Sequence, residues 1–288
     1  LIIFDSKIHA EREILDHFAA VFTVLERRNF QDMFSLQMEN LYNAILKQES
    51  LICIPSSLIR FHNNGISRHF SEVLAMFLVR DHLQDLHHPD TNRATLTLKL
   101  FHIVIQLVAA QRETEVILQP HFTTIIDSFL KFTTKRSDIR GYLKLLQLLF
   151  KALSSDNKLS FELLYREFLT VLTPCLQALL GLLKGPAGKQ YQDILVELIL
   201  RLPANISSLL PQLPKLMLPL LYAVKSKDRH LQALGLFVLE NWIDSLNPEF
   251  LEPSMKEIHE ELLETLWKMV QPKSLALGSK ALQLLGKL

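Results

Sequence analysis

The chain contains little cysteine, no excess of either charge and no long uncharged hydrophobic run. Among its 288 residues only Cys53 and Cys175 are cysteines, and they lie far apart and outside any C-x-x-C spacing. This usage argues against a disulfide framework and against a zinc ribbon. We expect a reducing compartment and two small, buried thiol side chains.

The balance of charge excludes a strong electrostatic partner. Lys and Arg together number 31, and Asp and Glu together number 30. Such a balance gives no general attraction to a phosphate backbone or an anionic membrane, so we expect neither nucleic acid nor a membrane as a direct partner. The longest uncharged run, residues 168–183, contains Pro174 and is shorter than the roughly 18 apolar residues of a membrane span. The sequence therefore predicts a soluble protein.

The size of the chain favours several small cores over one large core. Hydrophobic residues make up 49% of the sequence, but 288 residues exceed the length at which a single core usually stops growing. The chain lacks an initiating Met and a signal-peptide pattern, and it stops at Leu288 inside a helical pattern. We expect it to be a piece of a longer protein.

Helical periodicity on two faces of one segment is the main feature that is present. The apolar spacing in residues 209–246 predicts two helices joined by the charged turn KSKDR. In the second helix one apolar stripe comprises Leu231, Leu234, Val238 and Trp242, and a second comprises Leu236, Leu239 and Ile243. One neighbour cannot cover both stripes. The helix is therefore predicted to pack against its hairpin partner on one side and against the next hairpin on the other.

The same periodicity predicts helices along the rest of the chain. The first helix is expected from Ser6 to about Glu26, with Ile14, Phe18 and Leu25 on one face. Further helices are expected at Gln31 to about Lys47, at Ile66 to about Leu86, from Thr91, at Met255 to Gln271, and in a last stretch into Leu288. Two more helical hairpins are expected around the turns TTKRSD and GPAGK. The helix after Thr91 repeats the two-sided pattern, with Leu96, Leu100, Ile103 and Leu107 on one stripe and Leu98 and Ile105 beside it. CIPSS, HNNG, HHPD and NPEFLEP are predicted to be breaks.

Prolines mark the repeating unit. Pro120, Pro174, Pro214 and Pro253 occur at comparable points of successive units, at intervals that bracket the roughly 40 to 47 residues of HEAT and armadillo repeats. No alternating strand pattern competes with the helices. The sequence predicts an all-α fold, a single α-solenoid segment of stacked antiparallel hairpins over residues 1–288, with approximate units 1–60, 61–119, 120–158, 159–204, 205–247 and 248–288. Asp138 and Asp228, each in a turn before a helix, resemble the aspartates between paired helices of HEAT repeats, and we expect them to act as N-caps.

The strongest metal candidate is the segment RDHLQDLHHPD. Asp81, His82, Asp85, His87 and His88 fall within it, but zinc requires three or four ligands that converge on one point. His87 and His88 are expected at the frayed end of a helix, where imidazolium groups favour the helix dipole. We interpret the segment as a capped, solvated helix end.

Other motifs are weaker. GPAGKQ lacks the glycine and the Ser or Thr of a phosphate-binding loop, since Leu183 and Gln190 occupy those positions, and we interpret it as a hairpin turn. The LxxLL matches at residues 145–149 and 176–180 are expected to be core leucines, and His259 is expected on a solvated charged face. We find no catalytic motif and predict no catalytic, cofactor-binding or metal-binding residue, no cofactor, no small-molecule ligand and no enzymatic activity.

The last third of the chain resembles a known family. LPLLYAVKSKD, LNPEFLEP at Leu246–Pro253, LLETLWK at Leu262–Lys268 and ALQLLGKL at Ala281–Leu288 are similar to the helical region of the TRRAP family, the transformation/transcription domain-associated proteins and their fungal orthologues. Residues 1–200 fit the same style of α-solenoid but contain no diagnostic motif.

The resemblance implies a function. It implies a segment of a very large pseudokinase related to the phosphatidylinositol-3-kinase-related kinases, a nuclear scaffold shared by SAGA-type and NuA-type histone-acetyltransferase complexes and a docking target of transcriptional activators. The kinase-like domain would lie beyond Leu288, so no family catalytic residue falls on this chain. Two alternatives stay open at this point: a transport receptor of the importin type, which would bind a small GTPase and cargo but usually has an acidic inner surface, and a regulatory solenoid of an active kinase of the same superfamily.

Overall fold

The described part of the chain is built from helices and turns. The computed structural model describes residues 9–60, 65–133, 138–154, 161–270 and 275–288, and no β-strand occurs among them. The helices are α1 (His9–Val21), α2 (Arg27–Lys47), α3 (Cys53–Arg60), α4 (Ile66–Asp81), α5 (Thr91–Ala110), α6 (Glu115–Leu118), α7 (Phe122–Thr133), α8 (Arg140–Leu153), α9 (Glu162–Lys184), α10 (Pro186–Leu200), α11 (Ile206–Leu209), α12 (Leu213–Lys225), α13 (Arg229–Ser245), α14 (Pro248–Met255), α15 (His259–Met269) and α16 (Leu275–Leu285). Short 3-10 turns occupy Phe22–Val24, Glu49–Ile52, Leu83–His87, Arg112–Thr114, Gln119–His121 and Leu210–Gln212. The prediction of an all-α fold is confirmed.

The helices fall into two units. The first contains the described residues up to Leu153 together with Phe161–Phe168, and the second contains Ser154 and Leu169–Leu288. The division between them falls within α9. The six approximate repeat boundaries predicted from the sequence stay a prediction.

Helix α5 is the centre of the first unit. It packs against α2, α3, α4, α6 and α8. Both of its predicted stripes are covered, since Leu100 and Ile105 are fully buried and Leu98 is half-buried. Aromatic side chains extend this core, with Phe101 of α5 packed edge-on against Phe129 of α7 at 5.9 Å between ring centroids. The two-sided periodicity thus predicted the burial of α5.

Helices α12 and α13 form the centre of the second unit. They pack against each other and both contact α10, while α12 also contacts α14 and α15, and α13 contacts α14 and α16. Leu231 and Trp242 from the first predicted stripe of α13 and Leu239 from the second are buried. This hairpin therefore has neighbours on both sides, as the two stripes predict.

A glycine allows α12 and α13 to approach closely. A Cβ at Gly235 would lie 3.0 Å from Ala223 Cβ and 3.0 Å from the backbone nitrogen of Val224. Across this contact Val196, Ala223 and Leu231 form a buried cluster. The Cβ-free surface of Gly235 is thus part of the core of the second unit.

Two predicted breaks are wrong, because both segments are helical. CIPSS belongs to α3, where Pro55 lies in the first turn and its missing N–H costs nothing. NPEFLEP forms α14, with Pro248 in the first turn and Pro253 inside the helix. A helix of this length loses a single internal hydrogen bond to Pro253, and the buried Leu251 and Met255 hold it against the unit.

Several predicted helix ends also differ from the structure. α1 ends at Val21 instead of Glu26 because Leu25 and Glu26 have extended backbone, and α2 begins four residues earlier than expected, at Arg27. α4 ends at Asp81 instead of Leu86, and α10 begins at Pro186, inside the expected turn GPAGK. Ser6, most of HNNG, most of TTKRSD, and Gln271 lie outside the described residues.

The predicted apolar face of α1 is exposed. Ile14, Phe18 and Leu25 retain 68%, 43% and 38% of their accessible surface. The spacing of these residues is that of an amphipathic helix, but the stripe is covered only in part, since α1 packs on α3 and Phe18 packs edge-on against Phe22 while Ile14 stays exposed. Apolar periodicity marks which face is able to be buried, and the presence of a neighbour decides whether it is buried.

Two helices are long and apolar enough to cross a membrane by length and composition, namely α5 and α9. Within the folded chain 56% of the apolar window of α5 and 33% of that of α9 are buried. A helix at the core of a folded unit meets the same criterion, and α5 occupies such a position in the first unit. The expectation of no membrane partner stays a prediction.

The two tryptophans of the chain provide a test of two-sided packing. Trp242 is 4% exposed in α13, whereas Trp267 is 69% exposed in α15. We expect Trp242→Ala to lower the free energy of unfolding by about 3 to 5 kcal/mol, because it leaves a large cavity. Urea denaturation followed by circular dichroism measures the change. The control Trp267→Ala should cost less than about 1 kcal/mol, and equal costs for the two variants would contradict the packing of α13.

A pair of glycine variants tests the close approach of α12 and α13. Gly235→Ala should destabilise the chain by about 1 to 3 kcal/mol, because the added methyl group meets backbone as well as side-chain atoms. In Gly181→Ala the new Cβ has no heavy atom within 4 Å, so we expect a gain of up to about 1 kcal/mol from helix propensity. Chemical denaturation of both variants should give opposite signs. A gain in both would show that the helices do not approach this closely.

Candidate functional site

The predicted metal candidate forms part of a polar network in the first unit. Tyr42 Oη of α2 donates a hydrogen bond to Asp85 Oδ2 at 2.8 Å, and His82 Nδ1 lies 2.7 Å from the same oxygen. Arg93 Nη2 of α5 also donates to it, at 2.7 Å. On its other side His82 Nε2 lies 3.1 Å from Glu39 Oε2 of α2. The network thus joins α2, α5 and the 3-10 turn between α4 and α5.

The interpretation of this segment as a solvated helix end is wrong for His82. Its side chain is 7% exposed, and the ring lies 4.0 Å from the ring of Tyr42 and 4.4 Å from that of Phe77, between centroids. The two aromatic rings and the two carboxylates draw the imidazole inward. Both nitrogen contacts are hydrogen bonds when both ring nitrogens are protonated, since an ionised carboxylate is only an acceptor.

The other members of the segment point to different partners. Asp81 is at the surface and pairs with Arg80 at 2.8 Å. The ring of His87 stacks on Phe132 at 5.5 Å, and His88 Nδ1 accepts a hydrogen bond from the backbone of Asp90 at 3.1 Å. Over the described residues the structure contains no group of three or more His, Cys, Asp or Glu side chains that could hold a metal ion.

The environment of Asp85 stabilises its charge. Burial alone would raise the pKa of the Asp85 carboxyl, but the hydrogen bonds from His82, Arg93 and Tyr42 outweigh burial and lower the pKa below its ordinary value. Burial also raises the pKa of Tyr42 to about 12, with the hydrogen bond to Asp85 acting in the same direction and that with Thr97 against it. Tyr42 therefore remains a hydroxyl donor and Asp85 a carboxylate acceptor at neutral pH. The hydrogen bonds of these groups hold α2 and α5 to the turn between α4 and α5.

Both predicted turn aspartates bind free N–H groups at the start of a helix, Asp228 as the N-cap of α13 and Asp138 from one residue before the N-cap position of α8. Asp228 Oδ1 accepts a hydrogen bond from the backbone N–H of His230 at 2.8 Å, and Asp138 Oδ1 accepts one from that of Arg140 at 3.1 Å. Each bond satisfies one of the free N–H groups at the start of a helix. The expectation of an N-cap is confirmed at Asp228, whereas Asp138 performs a similar role from one residue further from its helix.

The remaining motifs also have structural explanations. In the LxxLL matches, Leu145 and Leu149 are buried in α8 and Leu176 in α9. Gly188 of the phosphate-loop-like segment lies so close to α9 that a Cβ would meet the carbonyl oxygen of Leu183 at 1.8 Å. His259 is exposed at the start of α15. The side chains of these motifs thus serve packing, turn geometry and solvation.

Sequence reasoning assigned no site residue, and it missed the exposed apolar side chains of the second unit. Leu218, Phe237, Phe250, Trp267 and Leu282 are between 48% and 69% exposed. The exposure of Trp267 could have been predicted from the sequence. Leu262 and Leu266 form the apolar stripe of α15 that repeats with the helical period, and Trp267 falls outside that stripe. These side chains make the surface of the second unit a candidate for contacts with proteins.

The sequence matches a known family over nearly its whole length. The model of the family described as "Tra1 HEAT repeat central region" matches residues 3–273. The human transformation/transcription domain-associated protein is 32% identical over 284 residues, which cover 98% of this chain and 7% of that protein. The chain belongs to the TRRAP/Tra1 family.

More distant members of the TRRAP/Tra1 family align as well. The Saccharomyces cerevisiae protein named SAGA complex/NuA4 acetyltransferase complex subunit TRA1 is 28% identical over 280 residues, or 96% of this chain and 7% of that protein. The chain thus spans about 7% of the length of these relatives. Since the matches include residues 1–200, family membership extends beyond the C-terminal motifs that first indicated it.

The chain also aligns with a solved structure. An archaeal HEAT-like repeats protein from Thermococcus onnurineus NA1 aligns with 91% of this chain and 97% of its own, at 12% identity and a TM-score of 0.39. Membership of a HEAT-repeat family therefore stands on the sequence matches, and the helical packing stands on the contacts within each unit.

The network around Asp85 can be tested by its dependence on pH. We expect Asp85→Asn to lower the free energy of unfolding by about 2 to 4 kcal/mol at pH 7, because His82 and Arg93 lose a charged acceptor. Since folding lowers the pKa of Asp85 from its ordinary value of 3.8, its carboxylate stabilises the chain fully above that value, and this contribution is lost as the pH falls from there through the lower pKa of the folded state. The gap between wild type and variant should therefore narrow below pH about 4 in urea titrations.

The neighbouring Asp81 provides the control. Its ion pair with Arg80 is on the surface, so Asp81→Asn should cost less than about 1 kcal/mol. If Asp85→Asn cost no more than Asp81→Asn at pH 7, Asp85 would not be the centre of the network.

Proposed function

We propose that this chain is a non-catalytic scaffold segment of a TRRAP-like pseudokinase that docks transcriptional activators and recruits SAGA-type and NuA-type histone-acetyltransferase complexes to chromatin in the nucleus. The observation that carries the proposal is the family match over residues 3–273. Relatives aligned over the same region include subunits of the SAGA and NuA4 acetyltransferase complexes of two yeasts. A segment of this kind acts by binding other proteins.

The packing within each unit supports a scaffold. Hairpins that contact their neighbours on both sides, as α12 and α13 do, leave turns and outer helix faces at the surface. The polar residues that could have performed chemistry, such as His82 and Asp85, are engaged in contacts between helices. Such a segment works by recognising its partners through many dispersed contacts, and it carries out no reaction at a single centre.

The names of the relatives favour this proposal over its alternatives. They describe transcription-associated proteins and acetyltransferase-complex subunits, and none of the names describes a transport receptor or a kinase. The family match gives no support to an importin-type receptor, which belongs to a different group of HEAT-repeat proteins. A transcription-associated scaffold is the interpretation that agrees with both the names of the relatives and the charge balance of the chain.

Affinity purification tests the assembly. The full-length protein that contains this segment, carrying an affinity tag, should co-purify from nuclear extract with acetyltransferase subunits and acetylate histones, as measured by mass spectrometry and an acetylation assay. An internal deletion of residues 1–288 should reduce recovery of activators or of complex subunits. Consistent absence of acetyltransferase subunits from the intact protein would refute the proposal, and unchanged recovery after the deletion would exclude this segment as the docking part.

A further inference from the structure

The second unit contains a groove beside α14. It lies between the C-terminal end of α13, α14, the start of α15 and the residues after α16, and it has a volume of about 940 Å³. Its apolar lining comprises Ile243, Leu246, Pro248, Leu251, Pro253, Met255 and Leu288. We call it the α14 groove. Its size is that of a site able to accept several side chains of a bound segment.

Carboxylates line the rim of the α14 groove. Glu252, Glu257 and Glu260 are exposed and contribute to its lining, and among the described residues none of them forms an ion pair. The lining also contains Lys287, but its ammonium group already binds Asp244 at 2.5 Å. Lys256 is the remaining lysine of the lining. Lys256 and the exposed His259 lie among the three carboxylates, which outnumber this one lysine, so the rim keeps an excess of negative charge.

An exposed tryptophan continues this acidic face. Trp267 follows Glu260 by seven residues in α15, which is about two helical turns, so both point to the same side of the helix. It is 69% exposed. Between them Glu264 pairs with Lys268 at 2.6 Å. An exposed indole beside carboxylates can pack against an apolar stem and attract a guanidinium or ammonium group to its face.

We propose that the α14 groove and the Glu260–Trp267 face of α15 together form a docking surface for a basic amphipathic helical segment of a partner protein. Apolar side chains of that segment enter the groove and pack over Leu251 and Met255. Its Lys or Arg side chains meet the carboxylates of the rim and the indole of Trp267. This inference does not depend on the assembly proposed above, because the charges and exposed groups of the second unit carry it.

Charge complementarity selects this occupant over a second copy of the chain. In a twofold dimer across the groove, the rim of one copy would face the same rim of the other. Glu252, Glu257 and Glu260 would then meet like charges, which disfavours association. A basic segment instead pairs with each of them.

Fluorescence anisotropy with a defined probe tests the surface. The probe is an 18-residue, fluorescein-labelled peptide of Leu and Lys in an amphipathic helical pattern, and its counterpart has Glu in place of every Lys. We expect the Lys peptide to bind the 288-residue chain at least about tenfold more tightly than the Glu peptide, with an affinity that falls as salt is added. Equal binding of the two peptides would overturn the proposal.

Variants locate the binding. Combined Glu252→Gln, Glu257→Gln and Glu260→Gln should weaken binding of the Lys peptide about tenfold, since each exposed pair contributes a small amount. A control with the same loss of charge in the first unit, Glu26→Gln, Asp32→Asn and Glu113→Gln, should change it less than about twofold. If the two triple variants weakened binding equally, the attraction would be a general effect of surface charge and the proposal would fail.

A second pair of variants tests the aromatic anchor. Trp267→Ala should weaken binding about tenfold, as expected for an interface anchor, while Phe237→Ala, which removes an exposed aromatic ring outside the groove, should leave it unchanged. Circular dichroism should show the same helicity in all variants.

Light scattering tests whether a second copy of the chain occupies the groove instead. If the wild type had the mass of two chains and the combined Glu252, Glu257 and Glu260 variant had the mass of one, the groove would be a site of self-association and the proposal would be overturned.

Discussion

The fold depends on interior helices that must bury apolar side chains on two opposite faces. α5 meets this requirement in the first unit, and α13 meets it in the second, where one side packs on α12 and the other sides meet α10, α14 and α16. A compact two-layer domain covers one face of each helix. Helices with two faces instead require a neighbour before and after them, and this produces cores in series.

Close packing between helices is combined with polar links that fix their relative positions. In the second unit Gly235 brings α13 onto α12, and Gln232 Nε2 of α13 donates to the carbonyl oxygen of Val224 in α12 at 3.1 Å. The first unit uses the Asp85 network for the same purpose, because apolar contacts alone do not define the register of one helix against another. The TRRAP/Tra1 segment therefore uses its buried polar groups for architecture.

The sequence predicted those features that depend on local order along the chain. The two stripes of α5 and α13 and the caps at Asp138 and Asp228 are of this kind, because a helical period and a turn are defined within a few residues. The His82 network was not predictable, since Tyr42 lies about 40 residues before the motif and the distance between them is set by tertiary packing. α14 was hidden by Pro248 and Pro253, whose effect on a short, packed helix is smaller than their propensity suggests. The groove is lined by one stretch, residues 243–260, together with Lys287 and Leu288, and its concave shape arises from the packing of α13, α14 and α15, which no helical period predicts.

The distribution of charge distinguishes the α14 groove from the rest of the second unit. Elsewhere in that unit carboxylates pair with cations of a neighbouring helix, as Glu261 of α15 does with Lys225 of α12 and Glu240 of α13 does with Lys280 of α16. Such pairs across helices add little energy but neutralise the surface between hairpins. At the rim of the groove Glu252, Glu257 and Glu260 form no ion pair among the described residues and outnumber the one unpaired lysine there, Lys256, although the floor beneath them is apolar. A surface that leaves negative charge and apolar area together at one place is suited to a partner that supplies positive charge and apolar side chains together, and a scaffold needs such places to be specific.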